Sequence, residues 1–207
     1  MKVLLFNGSG NEKGCTFTAL ATVAESLNKN GIETEIIQVG KHAISDCIGC
    51  GACRKLDGMC VFKDDIVNEC IEKAKEADGF IFGSPVYYAH PSGRLLSFMD
   101  RLFYAGGSVF AYKPAAAIVS ARRAGTTASL DAITKHFTIN NMPVVSSNYW
   151  NMVHGNKPEQ VMQDLEGLQI MRVLGNNMAW LLKCIEAGTA AGIVPVKEDK
   201  VWTNFIR

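Results

Sequence analysis

The sequence predicts a single α/β domain, residues 1–207, built on a doubly wound, five-stranded parallel sheet. Three observations lead there. Short, almost wholly apolar runs of strand length recur along the chain, segments with apolar residues at helical spacing lie between them, and the strand-like runs end in turns bearing Gly, Ser or Pro. Composition agrees, because 48% hydrophobic and 20% charged residues can bury a sheet on both faces.

Taken in order, residues 2–7 form a buried-strand pattern that ends in a Gly/Ser turn, and residues 16–30 carry Phe17, Leu20, Ala24 and Leu27 at helical spacing. Gly31 stops that helix, and residues 34–39 supply a second β-rich run. A cysteine-rich loop follows this second strand. Asp64 and Asp65 then open a helix running to about Ala77, with Ile66, Cys70, Ile71 and Ala74 on its apolar face. Residues 79–83 are the third strand, and a helix bearing Leu95, Phe98, Met99, Leu102 and Phe103 follows the turn at 84–91. Residues 114–120 make the fourth strand, residues 127–137 the next helix, and a short fifth strand is expected around Val144 and Val145. Over residues 158–187, the positions Val161, Leu165, Leu168, Met171, Leu174, Met178, Leu181 and Ile185 predict one long helix, bent near Gly167 or Gly175.

In a doubly wound sheet, ligands bind beyond the carboxyl ends of the strands, so the turns there are the candidate site. The first turn, Gly8-Ser9-Gly10-Asn11-Glu12-Lys13-Gly14-Cys15-Thr16, offers N–H groups, hydroxyls and one lysine at a helix N-terminus, the makings of an anion cradle. It has neither the spaced glycines of a dinucleotide fingerprint nor the Gly-Lys-Ser/Thr of a Walker loop, so one phosphate suits it better; an ordinary capped turn is the plain alternative. The second, Gly83-Ser84-Pro85-Val86-Tyr87-Tyr88-Ala89-His90, sets two aromatic rings on a restrained backbone, placed to lie beside a flat ring system or to pack as a surface loop. The third, Ser120-Ala121-Arg122-Arg123-Ala124-Gly125-Thr126-Thr127, adds small, hydroxyl and cationic groups on the same side.

These loops resemble those of the NADPH-dependent FMN reductase and iron–sulfur flavoprotein branch of the flavodoxin-like superfamily, and the resemblance covers most of the chain. Gly8-Ser9 through Gly14-Cys15-Thr16 is similar to that family's phosphate loop, Ser84-Pro85-Val86-Tyr87-Tyr88 to its isoalloxazine loop, and Ser92-Gly93 through Asp100-Arg101 to the helix after it. The resemblance implies a flavodoxin-like strand order 2-1-3-4-5, FMN at the switch point, NAD(P)H as electron donor, and a homodimer or homotetramer. It implies FMN contacts from Ser9, Asn11, Lys13, Gly14, Cys15, Thr16, Ser84, Pro85, Val86, Tyr87, Tyr88, Ser120, Arg122, Arg123 and Gly125. Members often carry Arg and Asn where this chain has Asn11 and Cys15, which shifts the weight of phosphate binding to N–H groups, Ser9 and Thr16. The flavin accepts hydride or single electrons itself, so no acid–base pair is required and no catalytic side chain is assigned. Beyond the fifth strand, Tyr149-Trp150-Asn151-Met152-Val153-His154-Gly155 is placed to border the open face of the flavin, or else to pack or meet a second copy.

The chain has seven cysteines, four of them at Cys47-x2-Cys50-x2-Cys53-x6-Cys60, with Gly49, Gly51 and Gly58 freeing the backbone to wrap a centre. Four thiolates satisfy one [4Fe–4S] cluster, and iron–sulfur flavoproteins look like this; the triplet spacing is less natural for zinc, and a loop holding no metal stays open as an alternative. Cys70 and Cys184 fall on helix faces and are expected in the core, and Cys15 falls in the first loop.

With a formal net charge of +1 and basic residues scattered, neither nucleic acid nor a membrane surface is an expected partner. The short apolar N-terminal run meets Gly8 at once, unlike a signal peptide, and no window approaches the roughly 20 apolar residues of a membrane span, so a cytoplasmic protein is expected. Three functions compete: an FMN-dependent NAD(P)H oxidoreductase reducing a small-molecule redox substrate such as a flavin or quinone, an electron carrier charged by a ferredoxin through the cysteine loop, and a flavin-binding structural or sensing protein. The resemblance implies that a small carrier would be acidic, so the near-neutral charge leans toward the enzyme.

Overall fold

A computed structural model describes residues 1–206. Its strands are β1 (Lys2–Asn7), β2 (Glu33–Gln38), β3 (Gly79–Tyr87), β4 (His90–Pro91), β5 (Ala115–Ala121) and β6 (Met152–His154). All but β4 are parallel, in the order β2-β1-β3-β5-β6, which is the expected 2-1-3-4-5 path; the sixth strand, β4, folds back antiparallel on the end of β3. Alternation decides which way each apolar residue points. Val3 and Leu5 of β1 enter one core with Ile81, Ala116 and Ile118, whereas Leu4 and Phe6 enter the other with Phe80, Phe82 and Ala117.

Helices α1 (Cys15–Lys29) and α6 (Leu165–Ala190) cover the first face, while α2 (Val67–Lys75), α3 (Gly93–Phe110) and α4 (Thr126–Thr138) cover the second. Among the described residues, no helix is long and apolar enough to cross a membrane.

Several expectations are corrected. The fifth strand is not at Val144–Val145: Val144 makes only an isolated bridge to Ala115, and the parallel strand is Met152–His154. From Ala115 to Val119, β5 advances four residues while its neighbour advances eight, from Val144 to Met152, so four surplus residues bulge out around Tyr149 and Trp150, which precede the edge strand and do not lie beyond it as expected, while Met152–His154 of that segment is the strand itself. The helix expected from Asp64 begins at Val67 instead; Asp65 stays outside it, where its carboxylate accepts the Val67 N–H at 3.1 Å and pairs with Arg101.

The long C-terminal helix is two helices, α5 (Pro158–Val161) and α6, broken one turn before Gly167. Asp164 makes the break by accepting the Gly167 N–H at 3.0 Å as the cap of α6, and the His154 N–H at 2.7 Å from the edge strand. Gly175 has a packing role: a Cβ there would stand 2.8 Å from Val23 O, so its absence lets α6 close on α1. Of the two cysteines expected in the core, Cys70 is buried but Cys184 is exposed.

Candidate functional site

The first loop is built around Asn7, the buried polar residue that ends β1. Its amide donates to Glu12 O at 3.1 Å and Gln38 Oε1 at 2.7 Å, while its carbonyl accepts the Ser9 N–H at 3.1 Å. Gln38 in turn donates to Ser9 O at 2.6 Å, so β2 fixes the loop from the side. At Gly8 any side chain would collide, because a Cβ would lie 2.9 Å from Gly83 O and 2.8 Å from Leu95 Cβ. Held this way, the loop and the start of α1 leave the N–H groups of Glu12, Lys13, Cys15, Thr16 and Phe17 without a protein acceptor among the described residues. Ser9 Oγ accepts from Asn11 N at 3.1 Å, and its own proton remains to donate. Five N–H groups and a hydroxyl at a helix N-terminus, with Lys13 exposed beside them, make an anion site.

Direct contacts join the other loops to this one. Gly10 donates its N–H to Tyr87 Oη at 3.1 Å, which ties the isoalloxazine-type loop to the phosphate-type loop. Ser84 is buried, accepts the Ser92 N–H at 2.9 Å and donates to Pro85 O at 2.8 Å, so the 84–92 turn is closed from inside. Tyr88 sits at its tip with φ +59° and a fully exposed ring, and Val86 behind it lies against Gly125, where a Cβ would be 2.9 Å away. Thr16 Oγ1 and Ser120 Oγ, both buried, meet at 2.8 Å and bind the third loop to α1. Thr16 therefore offers an anion its N–H, its hydroxyl being engaged inside. The Cys15 thiol donates to Gly155 O, just after β6, at 3.5 Å, and burial pushes its pKa up, which favours the protonated form that makes this bond. Arg122 and Arg123 are exposed at the rim.

The four clustered cysteines lie between β2 and α2, with Cys47 and Cys50 exposed and Cys53 and Cys60 half-buried. All four line one pocket together with Ile48, Phe62, Arg101 and Tyr104. Among the described residues no three are gathered as a metal-binding set, and none forms a disulfide. Four thiols on one pocket wall are the donor set that a four-thiolate centre would use, and Gly49 at φ +63° and Gly51 at φ +65° stand in open space, leaving the backbone between the cysteines free to draw them together.

Arg101 underlies this pocket and was not singled out from sequence. With its side chain 1% exposed, it pairs with Asp65, donates from Nη1 to Ser45 O at 3.3 Å and from Nε to the Cys60 sulfur at 3.2 Å, and stacks 4.9 Å from the Phe62 ring centroid. Burial works to lower its pKa, but the bonds to Asp65 and Cys60 outweigh this and leave it raised. A signal was available: a charge one residue before Leu102 and three after Phe98 lies inside the apolar stripe of its helix.

Residues 1–157 match the sequence profile of the family described as NADPH-dependent FMN reductase. The chain belongs to this family. It is similar to two iron–sulfur flavoproteins of Methanocaldococcus jannaschii, one 34% identical over 201 residues (90% of this chain, 100% of the relative) and one 31% identical over 201 residues (88% and 98%). In fold it is similar to a flavodoxin from the domain Archaea, with a TM-score of 0.61 at 17% identity over 88% of this chain and 99% of that one. As a member of the NADPH-dependent FMN reductase family it is a flavin-binding oxidoreductase with a flavodoxin-like fold. The first loop fits FMN on its own chemistry, since its donors are gathered for one phosphate and the aromatic turn hangs from the same loop through Tyr87.

Proposed function

We propose that the protein is an FMN-dependent NAD(P)H oxidoreductase that passes electrons to a small acceptor such as a free flavin or a quinone, with a [4Fe–4S] cluster on Cys47, Cys50, Cys53 and Cys60 as a second redox centre. The observation that carries the reading is the set of free N–H donors at the start of α1, hydrogen-bonded through Gly10 and Tyr87 to an aromatic turn. Bound FMN supplies the redox chemistry, accepting a hydride or single electrons. The protein's part is to hold the phosphate with the N–H groups of Glu12, Lys13, Cys15, Thr16 and Phe17 and the Ser9 hydroxyl. Tyr87 and Tyr88, exposed on the turn tied to this loop, border the ring system, and Arg122 and Arg123 offer charge to a reduced flavin or a nicotinamide phosphate.

The test is anaerobic purification, identification of the released flavin, and steady-state turnover with NADH and NADPH beside reduction by a ferredoxin. FMN with pyridine-nucleotide turnover supports the reading; FAD, or no flavin after reconstitution, overturns it. The other reading, an electron carrier charged by ferredoxin, draws support from the exposure of Cys47 and Cys50, and reduction by ferredoxin without nucleotide turnover would select it. A homodimer or homotetramer is part of the proposal, motivated by the exposed Tyr149 and Trp150, and sedimentation at micromolar concentration tests it.

A further inference from the structure

We propose that Arg101 is a positioning residue for the cysteine centre: it fixes the sulfur of Cys60 as the anchored ligand and, through its Nε–H, raises the reduction potential of the cluster bound there. The inference rests on the reading that the four cysteines hold a [4Fe–4S] cluster.

Burying a guanidinium is unfavourable unless every donor finds a partner, and here the partners come from the cysteine loop and its flanks. Asp65 before α2 takes the charge, Ser45 before the first cysteine takes a second donor, Cys60 takes the third, and Phe62 covers the plane. One side chain on α3 thus grips the loop on both sides of the cysteine run. Cys60 is the sulfur held most firmly: its N–H donates to Asn68 Oδ1 at 2.7 Å and its carbonyl accepts from Asn68 Nδ2 at 2.9 Å. Cys47, Cys50 and Cys53 lie on the stretch with left-handed glycines, and only Cys53 makes a side-chain bond, to Tyr104 O at 3.8 Å. The arrangement is one fixed ligand and three adaptable ones.

A hydrogen bond to a ligating sulfur stabilises the more electron-rich, reduced cluster, which moves its potential upward. Because Asp65 balances the guanidinium charge, the directed Nε–H carries this effect more than the net charge does. Lysine keeps a charge there but has no planar fork to serve Asp65, Ser45 and Cys60 together.

The experiment compares anaerobically prepared wild type, Arg101→Lys and Arg101→Gln for iron and acid-labile sulfide, FMN content, and the cluster midpoint potential by redox titration followed by electron paramagnetic resonance. The expected result is a stoichiometric cluster in wild type and a negative shift of its potential in Arg101→Lys. A larger shift or loss of iron is expected in Arg101→Gln, with FMN retained in both variants. Pulsed resonance of reduced wild-type protein labelled with 15N-arginine should show one arginine nitrogen coupled to the cluster, a readout that needs no variant to fold. An unchanged potential in Arg101→Lys, or no 15N coupling, overturns the role of Arg101 while leaving the cluster reading intact. Wild type that takes up no iron and sulfide overturns the cluster reading, and this inference falls with it.

Discussion

The contact between Thr16 and Ser120 links the start of α1, where the phosphate is proposed to bind, to the end of β5. Thr16→Val keeps the shape, the N–H and the helix start, but strands the hydroxyl of Ser120, a residue 4% exposed; Ser120→Ala strands the hydroxyl of Thr16, a residue 1% exposed. Leaving a buried hydroxyl unpaired costs about 1–3 kcal/mol, whereas removing both partners at once is close to neutral. The double variant should therefore be more stable than the sum of the singles implies, by about 2–6 kcal/mol. With a urea m-value of about 2 kcal/mol/M, each single variant should lower the midpoint by roughly 1 M, and the double by clearly less than either. Urea unfolding of the FMN-free protein is the right assay, because bound flavin would add its own stabilisation. FMN affinity of Thr16→Val, measured separately, should change little, since the N–H is kept. Additivity within about 0.5 kcal/mol would refute the reasoning and mean that the two hydroxyls do not depend on each other.

At the opposite edge of the sheet, Glu35 meets Lys2 Nζ at 2.8 Å and Lys73 Nζ at 2.6 Å, and the hydrogen bonds from Lys2 and then Lys73 hold its pKa below the ordinary value. A carboxylate depressed on folding stabilises above its unfolded pKa of about 4.3 and loses that contribution as pH falls through the folded value. Glu35→Gln should accordingly be less stable than wild type at pH 7, and the gap should narrow as pH falls below about 4.3, as thermal melts along a pH series would show. Cys70 is buried and desolvation pushes its pKa to about 12, so native apo-protein at pH 8 should label at the exposed Cys47 and Cys50 while Cys70 reacts only after unfolding, which peptide mapping by mass spectrometry would read. Ser129 Oγ is the buried side-chain polar atom without a partner among the described residues, so Ser129→Ala should be neutral or stabilising by up to about 1 kcal/mol in the same urea assay.

Three of the longer parallel strands, β1, β3 and β5, were legible as short apolar runs ending at a turn residue, which burial on both faces demands, and the edge strand β2 as a β-rich run after Gly31. The other edge strand was not, since Met152–His154 owes its place to three rungs on β5 and not to β-propensity, while Val144–Val145 has the propensity and makes only one rung. The break at Asp164 was hidden because the apolar period runs on from Val161 through Leu165 to Leu168; the cap followed by Glu166 was the sign to weigh against it. The loops of the candidate site were legible as Gly- and Ser-rich punctuation between periodic segments. Asn7, Gln38 and Arg101 were not, because each acts through partners far along the chain, 31 residues apart for Asn7 with Gln38 and 36 for Arg101 with Asp65.

The mismatch of four residues against eight along β5 has a bearing on how the molecule meets its neighbours. An exposed sheet edge invites another strand to dock and extend it, the route to open-ended aggregation. Here the edge offers three residues of β6, then an outward excursion stiffened by Ser147, whose hydroxyl lies 2.7 Å from Tyr149 O and 2.8 Å from Asn151 Oδ1, and tethered to α6 through Asn177 at 2.8 Å from Ser146 O. A strand approaching from outside would find its pairing track interrupted after a single rung at Val144. The excursion that carries Tyr149 and Trp150 out from the edge thus also interrupts backbone pairing on that side, and leaves side-chain surfaces as the means of association there.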